Sequence, residues 1–365
     1  MGFIIFIAIA TLIVVAGHAF LYFSWVHFFR VTNPTLLVIL RIGLGLGSIS
    51  FIGASLLVYR FDNFLTSALY FGASIWLGLL LYFFLGVISL WIIAFIGKIL
   101  GLNFKMTAIA GLIVSAGLIL AAIGFINALN PRLRKIEVSI ENLPSGWRGR
   151  KAVQISDIHL GFIHGKSFME QIVRKINAAD PDIVFITGDL FDGESDKLGI
   201  LSEPLNDLHP SLGIYFITGN HETYVGIDKT LSALADKKVN ILRDQLIEVD
   251  GMQILGIDYP QPGVKKDLNQ IMAMLDHSKP NIVLFHSPVH VDMFKKMGAN
   301  LQLSGHTHRG QLWPLNYITN KVYDGYDHGI HRDGSYTLYT SVGTGTWGPP
   351  IRTGNCPEIT LISFK

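Results

Sequence analysis

The distribution of charge along the chain limits its fold more than any other feature. The first 129 of its 365 residues contain only six charged side chains. They are Arg30, Arg41, Arg60, Asp62, Lys98 and Lys105. The chain's totals of 29 basic and 27 acidic residues therefore leave 24 basic and 26 acidic residues for the remainder. A segment so long and so nearly uncharged is typical of a protein embedded in a membrane.

Four apolar stretches in this segment are long enough to form membrane-spanning helices, each of which needs roughly 20 residues to cross about 30 Å of hydrocarbon. They cover residues 3–26, 36–59, 64–97 and 107–129. The first stretch lacks the basic start and the small-residue cleavage site of a secretion signal, so we expect it to be retained. The sequence thus predicts an all-α transmembrane bundle of about four helices over residues 1–130.

The pattern changes abruptly after Asn130 and Pro131 to short apolar runs that are rich in β-branched residues and separated by turn formers. Such runs are typical of strands. We predict strands at 136–140, 152–155, 183–187, 214–218, 253–256, 282–285, 301–303, 335–340 and 358–364. Helical periodicity is seen at 167–179, 228–237, 266–275 and 289–296. Residues 131–365 are therefore predicted to form a second domain of layered α/β type.

Polar side chains follow several of these predicted strands. Asp157 and His159 are two residues apart, and in extended chain such neighbours project to the same side, where they can bind one ion. Gly188 precedes Asp189 and Gly219 precedes Asn220, which places a flexible residue where the backbone must turn sharply. Three further histidines follow later strands, namely His286, His306 and His308.

Taken in order, these residues resemble the signature of the calcineurin-like metallophosphoesterase superfamily, which reads Asp-x-His, Gly-Asp-x-x-Asp, Gly-Asn-His-Glu, His and Gly-His-x-His. No position of that signature is missing. The segments Gly310-Gln311-Leu312-Trp313 and Thr346-Trp347-Gly348-Pro349-Pro350-Ile351-Arg352 are similar to the bacterial membrane-associated branch of the superfamily. The resemblance implies a four-layer α/β/β/α sandwich and a phosphohydrolase activity.

The resemblance also implies a site for two divalent metal ions. One ion would be bound by Asp157, His159 and His308, the other by Asn220, His286 and His306, with Asp189 bridging the two. Oxygen and imidazole donors suit Mn²⁺, Fe²⁺ or Zn²⁺, and the sequence does not choose among them. Two such ions can clamp phosphate oxygens and acidify a bridging water, which we expect to be the nucleophile.

Four more residues are assigned to catalysis or to substrate binding. His221 directly follows a predicted ligand, so we expect it to donate a proton to the leaving oxygen or to stabilise the charged transition state. Asp192 would orient His221, with an exposed loop residue as the alternative. Arg309 and Arg352 would bind substrate phosphate through forked hydrogen bonds, and both are equally interpretable as ordinary surface arginines.

The leading functional hypothesis is a membrane-anchored hydrolase that cleaves a phosphodiester or pyrophosphate bond in a lipid-linked substrate. It depends on the membrane bundle and on aromatic residues that suit an interface, although core packing is the simpler interpretation of each ring. These residues are Trp313, Tyr317, Tyr323, Tyr326 and Trp347. The alternatives are a phosphodiesterase for soluble substrates that is merely located at the membrane, and a catalytically silent receptor or scaffold. The near balance of charge after Asn130 predicts no nucleic-acid partner.

The sequence predicts an integral, multi-pass protein of a bacterial-type inner or plasma membrane. Four spans place both ends of the bundle on one side, and basic residues in the connecting loops are nearly equal on the two sides. A small excess favours a cytoplasmic position for the catalytic domain, and it comes from Arg148, Arg150 and Lys151. The single cysteine, Cys356, excludes an internal disulfide and leaves the redox compartment open.

Overall fold

A computed structural model of the chain describes residues 2–193, 197–261 and 263–365, without the side chains of residues 2–4, 6–8 and 10. The described residues form two compact units. The first comprises the residues up to Phe125 together with Gly348–Ile351, and the second comprises Ile126–Trp347 and Arg352–Lys365.

The first unit consists mainly of long apolar helices. They are α1 (Gly2–Phe28), α2 (Pro34–Arg60), α3 (Phe64–Ile99) and α4 (Met106–Ala128). All four are long and apolar enough to cross a membrane, as the sequence predicts. Asparagine side chains begin two of them: Asn33 accepts hydrogen bonds from the first turn of α2, and Asn63 forms a capping box with Thr66 in α3.

Polar side chains inside this bundle bond to one another across helices. The indole Nε1 of Trp76 donates to Nε2 of His18 at 3.0 Å, and that of Trp91 donates to Oγ of Ser24 at 2.9 Å. The other ring nitrogen of His18 lies 2.8 Å from the carbonyl oxygen of Val14. Both nitrogens of His18 are therefore engaged within the bundle, which satisfies its polar groups in an apolar environment.

The second unit contains strands and shorter helices. Its strands are β1 (Arg132–Val138), β2 (Lys151–Ile155), β3 (Ile183–Thr187), β4 (Ile214–Ile217), β5 (Val239–Ile241), β6 (Gln245–Val249), β7 (Met252–Gly256), β8 (Asn281–Leu284), β9 (Leu301–Ser304), β10 (Gly329–Asp333), β11 (Tyr336–Thr340) and β12 (Glu358–Phe364). Its helices are α5 (Lys166–Ala179), α6 (Leu198–Ser202), α7 (Asn220–Val225), α8 (Ile227–Leu234), α9 (Leu268–Met272), α10 (Val291–Lys296) and α11 (Leu315–Val322).

The strands form two six-stranded sheets, with the orders β1-β12-β2-β3-β4-β5 and β10-β11-β9-β8-β7-β6. Strands β2 to β5 are parallel neighbours in the first sheet, and β7, β8, β9 and β11 are parallel in the second. Strand β12 is parallel to β1 and antiparallel to β2, and in the second sheet β10 is antiparallel to β11 and β6 to β7, so both sheets are mixed.

Alternating side chains divide the core of this unit into layers. In β3, Phe185 contributes to the core between the two sheets, whereas its neighbour Val184 packs in the core beneath the helices on the outer face. In β8, Ile282 lies between the sheets and Val283 packs with Phe294 of α10. The predicted four-layer α/β/β/α sandwich is therefore confirmed.

Three strands were absent from the sequence prediction, namely β5, β6 and β10. All three are edge strands, and their residues are mostly half-buried or exposed. An edge strand buries less of its surface than a central one, so its sequence lacks the continuous apolar run by which the central strands were recognised.

Candidate metal centre

The predicted ligands converge because the carboxyl ends of parallel strands meet at one edge of a sheet. In the first sheet, Asp157 and His159 follow β2, Asp189 follows β3, and Asn220 begins α7 just after β4. Strands β8 and β9 of the second sheet supply the remaining three, which are His286, His306 and His308. All seven residues meet in one cluster.

The backbone of these loops is strained at several of the ligands. The left-handed conformation, with φ between 47° and 74°, occurs at Asp157, His159, Asp189, His306 and His308. Side-chain-bearing residues rarely adopt it, and clusters of such residues are typical of functional sites.

Two neighbouring glycines allow the loops to approach closely. A Cβ atom at Gly219 would lie 2.2 Å from Oδ1 of Asp189, and one at Gly305 would lie 2.3 Å from Oδ2 of Asp157. Any larger residue at either position would therefore displace a ligand carboxylate.

The first donor group consists of Asp157, His159 and His308. The Nε2 atoms of the two histidines are 3.0 Å apart, and Nε2 of His308 lies 3.5 Å from Oδ1 of Asp157. Each residue offers an atom within 4.8 Å of the others. Donors bound at roughly 2.1 Å to one ion are separated by about 3 Å, so the spacing fits a single cation.

The second group is built around His286. Its Nε2 atom lies 3.1 Å from Oδ1 of Asn220, 3.2 Å from Nδ1 of His306 and 3.2 Å from Oδ2 of Asp189. The same oxygen of Asp189 lies 3.9 Å from Nε2 of His159 in the first group. Asp189 thus stands between the two groups, where the resemblance predicts a bridging carboxylate.

The protonation of the two histidines in the first donor group suits a cation, whereas His286 is charged through its pairing with Asp189. Burial lowers the pKa of His159 to about 3 and that of His308 well below its usual range, so both rings are neutral and offer lone pairs. Burial alone would raise the pKa of Asp189, but the charge of His286 outweighs burial and lowers it. Burial lowers the pKa of His286, and the charge of Asp189 outweighs it and raises that pKa to about 10. The protonated ring of His286 thus places a positive charge beside Asp189. A bound metal ion would supply that positive charge instead of the proton.

Comparisons with known proteins identify the family. The sequence model of the calcineurin-like phosphoesterase family matches residues 150–310. A protein of Campylobacter jejuni described as an uncharacterized metallophosphoesterase is 34% identical in an alignment of 289 residues, and the match covers 75% of each chain. The chain belongs to the calcineurin-like phosphoesterase family.

A zebrafish relative of the phosphoesterase, described as a transmembrane protein with a metallophosphoesterase domain, is 33% identical over 285 residues. The match covers 72% of this chain and 63% of the zebrafish protein, which is less than two thirds of that relative's length. The chain therefore combines the phosphoesterase domain of this family, with buried residues that could hold metal ions, and four helices that are long and apolar enough to cross a membrane.

The predicted catalytic pair of the phosphoesterase is in contact at the margin of the cluster. Nδ1 of His221 lies 3.0 Å from Oδ1 of Asp192, and the ring centroid of His221 lies 4.5 Å from that of His159. Burial lowers the pKa of His221, but the hydrogen bond with Asp192 outweighs it and raises the pKa to about 9. The ring is therefore positively charged at neutral pH and has a proton to donate.

The two arginines predicted to bind substrate differ in their placement. Arg309 is half-buried, and its guanidinium makes no hydrogen bond with a described residue, so its donors are available to a ligand. Arg352 is fully buried, and it donates to the carbonyl oxygens of Val342 at 2.6 Å and Gly345 at 3.1 Å and to Nδ1 of His308 at 2.9 Å. This burial conflicts with the prediction that Arg352 contacts a substrate phosphate, because its donors are already bound within the protein.

A buried carboxylate supports the loops beneath the ligands. Glu222 accepts hydrogen bonds from three backbone N–H groups, those of Gly219 at 2.6 Å, Asp189 at 2.9 Å and Phe191 at 3.1 Å. It fixes the turn that follows β3 relative to the turn that follows β4.

Aromatic side chains surround the open face of the cluster. Tyr224 and Trp347 lie 5.4 Å and 6.1 Å from the ring centroid of His221, and their side chains are 64% and 58% exposed. Tyr259 lies 5.7 Å from His286, and Tyr323 lies 6.1 Å from His306. Sequence reasoning missed Tyr224 and Tyr259, although Tyr224 closely follows Asn220 and Tyr259 closely follows the predicted strand 253–256.

Proposed function

We propose that the phosphoesterase binds two divalent ions, with Mn²⁺, Fe²⁺ or Zn²⁺ as candidates, and hydrolyses a phosphodiester or pyrophosphate bond. The observation that carries this proposal is the position of Asp189, whose carboxylate is within 4 Å of a histidine from each donor group. A single bound ion would need only one of the two groups, so the second set of buried donors argues for a second ion. The completeness of both sets also argues against a silent receptor or scaffold.

In this proposal each protein group has a separate task. Asp157, His159 and His308 hold one ion, and Asn220, His286 and His306 hold the other. When bound, such ions polarise phosphoryl oxygens and increase the acidity of water. The hydrogen bond between Nδ1 of His221 and Asp192 leaves Nε2 of that ring to donate its proton to the leaving oxygen. Arg309 adds a positive charge for the substrate phosphate.

The test is Asp189→Asn in the full-length protein. The amide removes the charge shared by the two groups, so we expect bound Mn²⁺, measured by elemental analysis, to fall below two ions per chain. Hydrolysis of bis(p-nitrophenyl) phosphate should fall by roughly a hundredfold or more. The matched control is Asp250→Asn, because Asp250 is an exposed partner of Arg150. Two bound ions and full activity in Asp189→Asn would contradict the proposal.

The substrate that we propose is lipid-linked. Strand β1 begins four residues after α4 ends, so the catalytic unit is tethered closely to a membrane-spanning helix. The exposed rings of Trp313, Tyr317, Tyr224 and Trp347 are of the types that favour a membrane interface. The lipids of the membrane are then both partners and the source of substrate, and no nucleic acid is involved.

This proposal is tested with the whole protein reconstituted in lipid nanodiscs. We expect diacylglycerol pyrophosphate in the same bilayer to be cleaved with a higher kcat/KM than bis(p-nitrophenyl) phosphate in solution. Replacement of the exposed rings, as in Trp313→Ser with Tyr317→Ser, should lower only the rate on the lipid. Equal losses on both substrates, or a preference for the soluble diester, would favour a phosphodiesterase for soluble substrates.

We also propose that the catalytic unit faces the cytoplasm of a bacterial-type plasma membrane. The support is the small excess of basic residues at the start of that unit, which includes Arg148, Arg150 and Lys151. A green fluorescent protein fused after Lys365 should fluoresce in a bacterial host, whereas alkaline phosphatase at the same position should be inactive. The reverse pattern would place the site on the outer face.

A further inference from the structure

A cavity of about 330 Å³ lies between α1 and α2 in the helical unit. Most of its wall is apolar, including Ala19 and Phe23 of α1 and Leu44 of α2, and the side chains of Tyr22 and Arg41 also line it. A cavity whose wall is mostly apolar and carries one cationic side chain suits an amphiphilic ligand better than water.

Among the described residues of this unit, no acidic side chain is paired with Arg41. Its guanidinium contacts Tyr22: Nη2 donates to the hydroxyl oxygen at 3.2 Å, and Cζ lies 5.5 Å from the ring centroid. Neither the hydroxyl nor the ring of Tyr22 carries a charge that would neutralise the guanidinium. The only acidic residue before Asn130 is Asp62, which lies 21 residues further along the chain, roughly 30 Å at the helical rise. An unpaired arginine in a membrane-spanning helix is costly, so an anion from outside the chain would stabilise it.

The depth of the two polar residues matches that of a lipid headgroup. Arg41 is seven residues from Pro34 at the start of α2, and Tyr22 is six residues from Phe28 at the end of α1. Both therefore lie about 10 Å from the connection between the two helices. A side chain as long as arginine spans most of that distance, which allows its guanidinium to reach the headgroup region.

The hydrogen-bonding groups of the cavity are unequally available. Both nitrogens of His18 are engaged, and the hydroxyl of Ser48 donates to the carbonyl oxygen of Gly45 at 2.7 Å. The Tyr22 hydroxyl accepts from Arg41, because arginine can only donate, and no described residue accepts the hydroxyl proton. The free donors thus converge at Arg41 and Tyr22, because the polar groups of His18 and Ser48 are already hydrogen-bonded and the other lining residues are apolar.

We propose that Arg41 and Tyr22 bind the phosphate of a membrane phospholipid, one acyl chain of which occupies the cavity between α1 and α2. The guanidinium matches phosphate oxygens through charge-assisted hydrogen bonds, and the Tyr22 hydroxyl adds one more donor. This lipid site belongs to the helical unit and is independent of the metal centre.

The experiment uses the full chain, purified in detergent and depleted of lipid. Binding of palmitoyl-oleoyl phosphatidylglycerol is measured by native mass spectrometry for the wild type, Arg41→Gln and Arg60→Gln. The last is the matched control, since Arg60 lies at the opposite end of the same helix. We expect Arg41→Gln to weaken binding about tenfold or more and Arg60→Gln to change it less than about twofold. Diacylglycerol, which lacks the phosphate, and glycerol phosphate, which lacks the chains, should both fail to displace the lipid.

Three results would overturn the proposal: unchanged binding by Arg41→Gln, displacement by diacylglycerol as effective as by phosphatidylglycerol, or displacement by glycerol phosphate at the same concentration. The last result would identify a site for free phosphate. If Arg41→Gln does not fold, Tyr22→Phe keeps the charge and removes only the hydroxyl. We expect it to weaken lipid binding by several fold through the lost hydrogen bond, and unchanged binding would count against the site.

Discussion

The guanidinium of Arg352 lies 2.9 Å from Nδ1 of His308, on the side of the ring opposite the atom that faces His159. Arginine can only donate, so Nδ1 of His308 accepts and the proton of the neutral ring lies on Nε2, from which it must leave before that atom can bind a metal. Most metal-binding histidines instead donate from their second nitrogen to a carboxylate or carbonyl group. The buried arginine therefore acts as a positioning residue that fixes the orientation of one ligand ring from behind.

The first prediction follows from this contact. Arg352→Lys retains the charge but loses the planar guanidinium, which donates at once to His308 and to the carbonyl oxygens of Val342 and Gly345. The ring of His308 should therefore become less well oriented. We expect the affinity for Mn²⁺ to fall by about 10- to 100-fold, measured by isothermal titration calorimetry. The absorption spectrum of the Co²⁺-substituted protein should also change, which a loss of stability alone would not cause.

The control for this prediction is Arg174→Lys, because Arg174 is an exposed residue of α5. Unchanged affinity and an unchanged Co²⁺ spectrum in Arg352→Lys would show that His308 is held without help from the arginine.

The second prediction concerns the pair formed by His221 and Asp192. Loss of a proton donor to the leaving group typically costs 10²- to 10⁴-fold, so His221→Asn should lower kcat by about that factor while bound metal stays constant. Asp192→Asn should have a smaller effect, and the double variant should be no slower than His221→Asn, because the two residues act as a unit. Exposed His209→Asn is the control. Multiplicative losses in the double variant would mean that the residues act separately.

A third prediction tests the support given by Glu222. Glu222→Gln places an NH₂ group where two oxygens now receive three backbone N–H groups, so at least one donor loses its acceptor. We expect the free energy of unfolding to fall by about 1–3 kcal/mol in metal-free buffer. The control is Glu248→Gln, since Glu248 forms an exposed pair with Lys279. A loss no larger than that of the control would contradict the support that we assign to Glu222.

The fourth prediction is a dependence of stability on pH. Nε2 of His164 accepts from the backbone N–H of Thr346 at 3.0 Å, and the ring stacks on Phe168. Burial, aided by the charge of Arg352, lowers the pKa of His164 to about 3 from its ordinary value of 6.5. The unfolded chain therefore binds a proton below pH 6.5 that the folded chain binds only near pH 3, and stability falls as the pH decreases through that interval.

Between pH 6.5 and pH 5 this one residue should cost about 2 kcal/mol of stability. Between pH 6.5 and pH 5, the free energy of unfolding of His164→Gln should therefore decrease by about 2 kcal/mol less than that of the wild type. The measurement is denaturant unfolding without metal. Ligand histidines also titrate, but they do so in both proteins, so the difference isolates His164. Identical pH dependence in the two proteins would contradict the prediction.

Sequence reasoning succeeded where the determining pattern is local. The four long helices depend on uninterrupted apolar composition, and the convergence of the candidate ligands depends on polar residues placed directly after buried strands, as with Asp189 after β3. It was wrong where the outcome depends on distant parts of the chain. Arg352 is 44 positions from His308, and neither residue's neighbours in the sequence indicate that the two side chains meet in the interior. Local sequence distinguishes a buried arginine from an exposed one only poorly.

Strand β12 is the last strand of the chain, yet it lies between β1 and β2 in the sheet. The first sheet is therefore incomplete until the end of the chain has been synthesised. A nascent chain that stops before residue 352 leaves the facing edges of β1 and β2 without their shared neighbour, and it leaves His308 without the arginine behind it. Such a product would present unpaired strands to other chains and would have an incomplete metal centre. Competence to acquire metal is thereby coupled to the completion of translation through β12.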